Sequence, residues 1–490
     1  ETLNKSNSPR SNAHTHAAEF DTLRFIQRVL NETLEVDRVE IPSNITRILD
    51  MLENAGYEAY IVGGCVRDSL MGMTPHDYDV TTSALPEETE RVFSGMKLIE
   101  TGLKHGTVTV LSDGEPVEIT TYRVDGEYHD SRRPDSVTFT RSLREDIARR
   151  DFTMNGIAYS PRRGMFDEFG GAEDIRHGII RCIGDPDKRF REDALRIMRG
   201  MRFSASLRFQ VEERTAAAML DNRELLRNIS AERIFTELSG LLTGRQSAFN
   251  MRRVLTEFRD ILAEVIPEFK ATFDFEQRSK YHSLDVYQHL LASAEAAALI
   301  SHGELPLTLA MLLHDIGKPE RFTLDENGEG HFYGHAQVSA DIAEAVLRRL
   351  KTSTALRERV CAIIKYHDIP LPENDRLLRR MLSKHGEELS RDIAMAHIAD
   401  NMAKKPEFRA RCADWRNLIE RIPEMADESC LTIKSLAVDG KALAGIVPPS
   451  PLMGETLKFL LGGVIDGSFP NEREFLLQEA SKYIANRKKT

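Results

Sequence analysis

Two aspartates separated by one residue, Asp77 and Asp79, are the first side chains in the sequence whose spacing suits chemistry. Residues two apart on a β-strand point to the same face, which would set these carboxylates about 6–7 Å apart. Such a pair repels itself unless a cation neutralises it, as Mg²⁺ does with oxygen ligands. Glu118 alternates with apolar neighbours on another predicted strand and would add a third carboxylate. These residues predict a two-metal site for phosphoryl transfer, although an exposed turn also fits Asp77 and Asp79 taken alone.

A second cluster lies in the string LLHDIGKP, where His314 and Asp315 end an apolar helix. Adjacent helical residues splay by about 100°, yet both can reach one metal near the helix end. His289 lies upstream and Asp400 downstream, and imidazole with carboxylate suits a divalent transition metal. Further histidines that could hold a second metal are His282, His331, His335 and His367, with His335 and His367 preferred. The implied chemistry is attack of a metal-bound hydroxide on a phosphoester, with the number of metals left open.

A glycine pair, Gly63-Gly64, ends the predicted strand EAYIVGG and precedes a predicted helix. Glycines at this position let backbone N–H groups approach phosphate oxygens, and the helix N-terminus adds partial positive charge. Arg67 follows within one helical turn and could bind phosphate. The residues alone also fit a tight turn followed by a surface charge.

Five motifs in order along residues 61–238 resemble the class II tRNA nucleotidyltransferase and bacterial poly(A) polymerase superfamily. The motifs are VGGCVRDSLMG with DYD, the loop GEYHDSRRPDSVTF, RRDFTMN, REDALR and SAERI. The resemblance implies that Gly63, Gly64 and Arg67 contact a nucleoside triphosphate, and that Asp77 and Asp79 bind Mg²⁺. One departure is Gly156, where the family more often has alanine.

The resemblance also implies which residues select the nucleotide. Asp193 and Arg196 would hydrogen-bond the Watson–Crick edge of CTP or ATP, because a carboxylate accepts from the exocyclic amino group that both bases carry. As residues i and i+3, they are expected on one face of a helix. The other implied nucleotide-binding residues are Arg150, Asp151, Asn155 and Arg199.

The cluster around His314 resembles the HD-domain metallohydrolase family. The resemblance carries the set His289, His314, Asp315 and Asp400 over as metal ligands. Some HD domains hydrolyse 2′,3′-cyclic phosphates or 2′-phosphates, and others act as scaffold. Because the four-residue core is intact, we expect a competent metal site.

Short β-branched runs separated by turn residues predict a sheet up to about Glu168, and helical spacing dominates from about Pro186. The predicted fold class is α+β, with a small N-terminal nucleotidyltransferase β-sheet head followed by an elongated all-α neck, HD domain and tail. The predicted divisions are a tail and helix at 1–40, the head at 41–178, the neck at 179–275, the HD domain at 276–405 and a tRNA-binding helical tail at 406–490.

The composition indicates where the protein acts and what it can bind. The 490 residues contain no apolar run near the ~20 needed to span a bilayer, and the first 20 residues lack the apolar segment of a secretory signal. Five scattered cysteines without a CxxC pair fit a reducing compartment, so a cytoplasmic location is expected. The net charge of −11 hides a basic stretch at 176–208, where nine Lys/Arg stand against four Asp/Glu. We therefore expect RNA binding that weakens with salt.

The resemblance implies addition of C, C and A to the tRNA 3′ end, with tRNA, CTP and ATP as partners, and we expect no membrane and no obligate protein partner. An A-adding enzyme and a poly(A) polymerase are the alternatives within the class. Ala194, where the poly(A) enzymes tend to have proline, and the full-length loop favour CCA addition. The alternative from another class is an HD phosphohydrolase whose head only binds RNA.

Overall fold

A computed structural model describes residues 39–99, 106–126 and 136–487. The helix predicted at 20–36, the polar segment before it and most of the predicted loop lie outside the described residues. The chain divides into two compact units, one of residues 1–193 with 210–218 and one of residues 194–209 with 219–490. The predicted α+β class is confirmed, with a sheet in the first unit and helices in the second.

The first unit contains eleven strands within the described ranges. They are β1 (Ala59–Val62), β2 (Asp79–Thr82), β3 (Leu98–Ile99), β4 (Thr107–Ser112), β5 (Glu115–Thr121), β6 (Arg123–Asp125), β7 (Val137–Phe139), β8 (Ala158–Ser160), β9 (Gly164–Phe166), β10 (Ile179–Ile180) and β11 (Gln210–Val211). Seven of them form one sheet of order β3-β4-β5-β2-β1-β8-β9. Strands β2 and β5 run parallel, and the other neighbours are antiparallel.

Helices cover the sheet of the first unit. They are α1 (Ser43–Asn54), α2 (Gly64–Leu70), α3 (Pro86–Val92), α4 (Leu143–Ala148), α5 (Gly171–His177) and α6 (Pro186–Glu192). Helix α1 buries Ile45, Ile48, Leu49 and Leu52, whose spacing puts them on one helical stripe. This stripe packs on one face of the sheet with Ile61, Val80 and Ile119, and α4 packs on a second core with Tyr60 and Val62.

Helices carry the remainder of the described chain. They are α7 (Leu195–Leu207), α8 (Glu213–Asp221), α9 (Ala231–Leu242), α10 (Arg245–Ala248), α11 (Met251–Glu257), α12 (Arg259–Val265), α13 (Val286–Ile300), α14 (Leu305–Leu313), α15 (His335–Arg349), α16 (Thr354–Tyr366), α17 (Asp375–Ala403), α18 (Cys412–Glu428), α19 (Pro451–Ile465) and α20 (Arg473–Arg487). Within the described ranges, none of the helices combines the length and the apolar character needed to cross a bilayer.

The helix α17 is interrupted at Gly386, which has φ 75° and ψ 173°. This backbone conformation is outside the helical region and favours glycine. The part before Gly386 contributes Leu378 and Leu382 to a core, and the part after it contributes Ile393 and Ile398. The one element therefore consists of two helical segments.

Two strand pairs were not expected. A hairpin of β12 (Thr323–Leu324) and β13 (Gly330–His331) interrupts the helices of the second unit, and in the first unit β10 pairs in parallel with β11. These strands could not be predicted from the sequence, because two residues are too few to show the alternation of apolar and polar residues that is typical of a strand.

Candidate functional site

The sheet of the first unit brings Asp79 and Glu118 together. On the parallel pair β2 and β5, Val80 lies opposite Ile119, and both are buried in the core. Because side chains alternate along a strand, Asp79 and Glu118 point away from that core on the same side. Asp77 lies two residues before β2, and all three acids line one open cavity of about 770 Å³.

The electrostatics of this cavity favour a bound cation. The surrounding protein desolvates the Asp79 carboxylate and raises its pKa, Asp77 adds to the rise, and Arg150 opposes it. Carboxylate oxygens are the ligands that hard divalent ions prefer, so the donor set fits Mg²⁺. In the described part of the chain, these three acids do not bring three ligand atoms within 4.8 Å of one another.

Gly63 sits directly after β1, beside Asp79, which pairs with Val62 across the sheet. Its φ of 83° lies in the region that favours glycine, and a Cβ there would come 3.4 Å from Nη1 of Arg150. The predicted glycine turn thus places backbone next to an arginine of the RRD motif. Gly64 is already the first residue of α2, although the glycine pair was predicted to precede the helix.

Arg67, Asn155 and Asp151 form one buried hydrogen-bonded chain. Nη1 of Arg67 donates to Oδ1 of Asn155 at 2.8 Å, and Nδ2 of Asn155 donates to Oδ1 of Asp151 at 3.2 Å. Arg67 also pairs with Asp68 at 2.6 Å. The predicted phosphate and ribose residues are therefore neighbours, although 88 residues separate Arg67 from Asn155 along the chain.

Gly156 directly follows Asn155 in the sequence and is the position where the family more often has alanine. A Cβ at this position would meet Cδ1 of Ile183 at 2.7 Å and the Thr153 carbonyl oxygen at 3.2 Å. The side chain of Ile183 thus occupies the space that the methyl group of an alanine would need.

Asp146 is a residue that the sequence reasoning missed. Its fully buried carboxylate accepts from Nη2 of Arg149 at 2.7 Å, from Nη2 of Arg150 at 3.4 Å and from the Arg123 backbone N–H at 3.2 Å. Burial acts to raise the pKa of Asp146, but Arg150 and Arg149 outweigh it and lower the pKa. The i, i+3 and i+4 spacing of Asp146, Arg149 and Arg150 was the available signal.

The expectation that Asp193 and Arg196 share one helical face is wrong. Helix α6 ends at Glu192, Asp193 has extended backbone with φ −139° and ψ 103°, and α7 begins at Leu195. Asp193 closes the first unit, and Arg196 belongs to the second, where its side chain is buried. The guanidinium of Arg199 lies 5.2 Å from the Phe203 ring centroid on the same helix.

The cluster around His314 is assembled and buried. Nε2 of His289 lies 3.3 Å from Oδ2 of Asp315 and 3.0 Å from Oδ1 of Asp400. Nε2 of His314 lies 3.2 Å from Oδ2 of Asp315, and its Nδ1 lies 2.8 Å from the Met311 carbonyl oxygen. Such an outer hydrogen bond fixes the imidazole and aims Nε2 into the cluster.

Two further histidines extend the cluster. Nε2 of His335 lies 3.0 Å from Oδ1 of Asp315, and Nε2 of His367 lies 3.7 Å from the same atom. Nδ1 of His335 lies 2.9 Å from the Phe332 carbonyl oxygen. Among the residues that the structure describes, two groups bring three ligand atoms within 4.8 Å, and Asp315 belongs to both: His289, His314 and Asp315, and Asp315, His335 and His367.

Several atoms of this cluster that could bind a metal have no hydrogen-bond partner in the part of the chain that the structure describes. Both ring nitrogens of His289, Nε2 of His314 and Oδ1 of Asp315 are buried and make no hydrogen bond of good geometry to the described residues. Buried polar atoms without partners are costly, and a divalent cation would satisfy them. The residues present therefore fit a metal ion.

Two lysines that were not predicted from the sequence form ion pairs with the aspartates of the cluster. Nζ of Lys318 lies 2.6 Å from Oδ2 of Asp315, and Nζ of Lys404 pairs with Asp400 at 2.5 Å. Burial acts to raise the pKa of both aspartates, but the pKa of Asp315 is held well below its usual range by His314 and Lys318, and that of Asp400 by Lys404. Burial disfavours a charged His314, yet the two aspartates raise its pKa to about 9.

The remaining candidate histidines lie around this cluster. The ring of His282 packs against that of His289 at 4.5 Å, and burial lowers the pKa of His282. His331 lies on β13, where it lines the same cavity of about 570 Å³ as Asp315 and Asp400. Neither belongs to the groups of three ligands within the described ranges.

Three family descriptions match the chain: the poly A polymerase head domain at residues 59–181, the probable RNA and SrmB-binding site of polymerase A at 208–272, and the HD domain at 281–406. The head match contains the acidic cavity, and the HD match contains the cluster around His314. Fold and site together define a nucleotidyltransferase that carries an HD domain, two domain classes that use divalent metal ions.

Named relatives narrow this class. A CCA-adding enzyme of Pediococcus pentosaceus is 34% identical over 89% of this chain and 96% of its own length. One from Lactobacillus helveticus is 50% identical over 45% of this chain and 54% of its own length. The structure of the Bacillus stearothermophilus CCA-adding enzyme in complex with CTP superposes with a TM-score of 0.71 at 31% identity, covering 92% of this chain and all of that one. The chain belongs to the CCA-adding enzyme family of tRNA nucleotidyltransferases.

Proposed function

We propose that this protein adds C, C and A to the 3′ end of tRNA, using CTP and ATP and releasing pyrophosphate. The observation that carries the proposal is the alignment of nearly the whole length of a CCA-adding enzyme with this chain. The acidic cavity beside a glycine turn and an arginine supports it independently, because nucleotidyl transfer needs those groups together.

In the proposed reaction, the 3′-oxygen of tRNA bonds to the α-phosphorus of the nucleotide, and the bond to pyrophosphate breaks. Asp77 and Asp79, with Glu118 as the third carboxylate, would hold two Mg²⁺ ions. When bound, these ions supply activation of the 3′-hydroxyl and neutralisation of phosphate charge. Gly63 and Gly64 would let the backbone approach the triphosphate.

Basic and polar side chains of the first unit would hold the nucleotide in place. Arg150, close to Gly63 and fixed by Asp146, is proposed to meet a phosphate or the base. The chain of Arg67, Asn155 and Asp151 presents polar atoms that would contact phosphate and ribose. These contacts would orient the α-phosphorus toward the incoming hydroxyl.

Asp193 and Arg196 are proposed to choose between the bases, with Arg199 beside them. A carboxylate accepts from the amino group of cytosine or adenine, and a guanidinium donates to ring acceptors. Extended backbone at Asp193 and burial of Arg196 fix both side chains without one shared helix.

The test uses tRNA that lacks its last three nucleotides, incubated with CTP, with ATP and with both. We expect two added residues with CTP alone and three with the mixture, read as product length on a sequencing gel. The same incubations are made with tRNA that already ends in CC, and a single residue added only to that tRNA would indicate an A-adding enzyme. A long ladder with ATP alone would indicate a poly(A) polymerase, and either result would refute CCA addition.

A second activity is favoured by the assembled HD cluster. Its donors are buried, form two groups of three ligand atoms within 4.8 Å, and include four atoms without good hydrogen bonds to the described residues, which fits a metal-dependent phosphohydrolase rather than a degenerate scaffold. A transition metal suits this mixture of imidazole and carboxylate. Release of inorganic phosphate from 2′,3′-cyclic and 2′-phosphorylated nucleotides, followed with each divalent metal in turn, tests the proposal.

Location and domain divisions complete the proposal. All five cysteines are free thiols, which fits the reducing cytoplasm. We keep the divisions at 1–40, 41–178, 179–275, 276–405 and 406–490, with tRNA held along the neck and the C-terminal tail. Limited proteolysis with and without tRNA would locate the exposed junctions.

A further inference from the structure

One aromatic side chain at the mouth of the HD cavity is unusually exposed. Tyr333 is 78% exposed, whereas the next large apolar side chain within the described ranges, Phe249, is 49% exposed. An aromatic ring left in water at a cavity mouth offers a flat apolar surface to a ligand. The function assigned so far gives Tyr333 no role.

The ring of Tyr333 has an aromatic neighbour in His331. Its ring lies parallel to that of His331, with an interplanar angle of 5° and a centroid distance of 5.4 Å. Nε2 of His331 lies 3.3 Å from Oδ2 of Asp325, at the turn between β12 and β13. The Tyr333 ring thus has the parallel His331 ring, itself paired with Asp325, as its neighbour on the hairpin.

The aromatic pair is close to the metal ligands along the chain. Tyr333 is followed by Gly334, with φ 77°, and then by His335 at the start of α15. Tyr333, His331 and His335 line the same cavity of about 570 Å³, together with Asp315 and Asp400. A cavity of this size holds a molecule as large as a nucleotide.

Cations surround the same cavity. The lining includes Lys280, whose Nζ lies 5.2 Å from the Tyr281 ring centroid, and Arg411. Lys318 and Lys404 lie deeper, beside the two aspartates. Aromatic faces interleaved with cations are the pattern that binds single-stranded nucleic acid, with bases on the rings and phosphates on the cations.

We propose that Tyr333 is a base-stacking residue that makes the HD cavity specific for phosphates carried on a nucleoside. The phosphate would point toward the cluster around Asp315 while the base stacks on Tyr333, backed by His331. In the reaction, which rests on the proposed phosphohydrolase activity, a water oxygen bonds to phosphorus, the bond to the ribose oxygen breaks, and that oxygen takes a proton. Tyr333 would not increase the affinity for sugar phosphates that lack a base.

The test measures equilibrium binding to the full-length chain with Mn²⁺ present. Every protein also carries Asp77→Ala and Asp79→Ala, so that metal-dependent binding in the head is removed. AMP and ribose 5-phosphate differ only by the base, and a four-residue RNA with a 3′-phosphate represents an RNA end. Tyr333→Ala and Tyr333→Phe are compared with Leu324→Ala, a 48% exposed residue of the same hairpin that does not line the cavity.

We expect Tyr333→Ala to weaken binding of AMP or of the RNA by about tenfold, as base stacking commonly contributes. Tyr333→Phe and Leu324→Ala should bind like the parent, and no variant should change binding of ribose 5-phosphate. The probe with the larger loss identifies a free nucleotide or an RNA end as the source. Unchanged binding of both base-bearing probes, or an equal loss for ribose 5-phosphate, overturns the proposal. If the binding results are as expected but no phosphate is released, the phosphohydrolase activity is refuted and the role of Tyr333 in binding stands.

Discussion

The two acidic sites of this protein are built in opposite ways. In the head, Asp79 and Glu118 line an open cavity of about 770 Å³, and Asp77 lies on the segment before the strand. In the HD domain, His314 and Asp315 are completely buried among ligand atoms 3–4 Å apart. A site proposed to take tRNA and a triphosphate would leave coordination positions for their oxygens, whereas the HD cluster has its donors in place beforehand.

The largest effect is expected from removing the head carboxylates. Asp77→Ala with Asp79→Ala should lower nucleotide incorporation by at least about a thousandfold, because several kcal/mol of transition-state charge stabilisation are lost. Binding of tRNA, followed by filter retention, should stay normal. Glu115→Ala is the matched control, since it removes another acid of the same cavity that has no assigned role. Normal incorporation by the double variant would overturn the metal assignment.

The next largest effect concerns metal retention. A closed cluster should keep its metal through gel filtration, and His314→Ala with Asp315→Ala should reduce bound transition metal to background, measured by mass spectrometry. Phosphate release should disappear while CCA addition stays largely intact. His177→Ala, an exposed histidine of the head, should change neither quantity. Loss of both activities would mean that the HD cluster serves the fold.

A smaller effect is expected on stability from Asp146→Asn. Removing one partner of a buried ion pair should cost about 3 kcal/mol, measured by urea unfolding at neutral pH. Arg150 and Arg149 overcome the burial term and lower the folded pKa of Asp146. Its stabilisation is therefore present above the unfolded pKa of about 3.9 and disappears as pH falls through the folded value.

The pH dependence gives the control for Asp146. The difference between wild type and Asp146→Asn should shrink as the pH falls below about 4. Asp113→Asn removes an exposed ion pair with Arg47 and should cost less than about 1 kcal/mol at any pH. A constant difference across the acid range would show that charge is not what Asp146 supplies.

The smallest effect is expected on selectivity. Because the head cavity is open, choice of the nucleotide must come from individual side chains. Arg196→Ala should reduce the preference for CTP and ATP over UTP and GTP by about tenfold, the usual worth of one base contact. Competing nucleotides on a gel measure the ratio, and Arg214→Ala, an exposed arginine, is the control. Unchanged selectivity would remove Arg196 from base recognition.

Much of this arrangement was predictable because it follows local rules. Alternation along a strand was enough to place Glu118 beside Asp79, and an apolar run was enough to put His314 at a helix end. The buried partners were harder, since burial depends on the whole fold. Lys318 and Lys404 follow Asp315 and Asp400 by three and four residues, a spacing that usually marks surface pairs.

The backbone break at Asp193 was also beyond sequence reasoning. The residues around it have helical spacing, and nothing in their types ends a helix there. Asp193 lies where the chain passes from one compact unit to the other. Local propensity cannot locate such a boundary, because the packing of each unit decides where it falls.

The interruption of α17 at Gly386 has an evolutionary consequence. The segment before it bonds to the C-terminal region through Arg379 and the Ile465 carbonyl, and through Ser383 and the Leu431 carbonyl. The segment after it carries Asp400. A continuous rod of 29 residues would pass any shift at one end to the other, whereas a glycine joint absorbs it. The C-terminal region can therefore vary in sequence with less effect on the position of Asp400 than a continuous helix would allow.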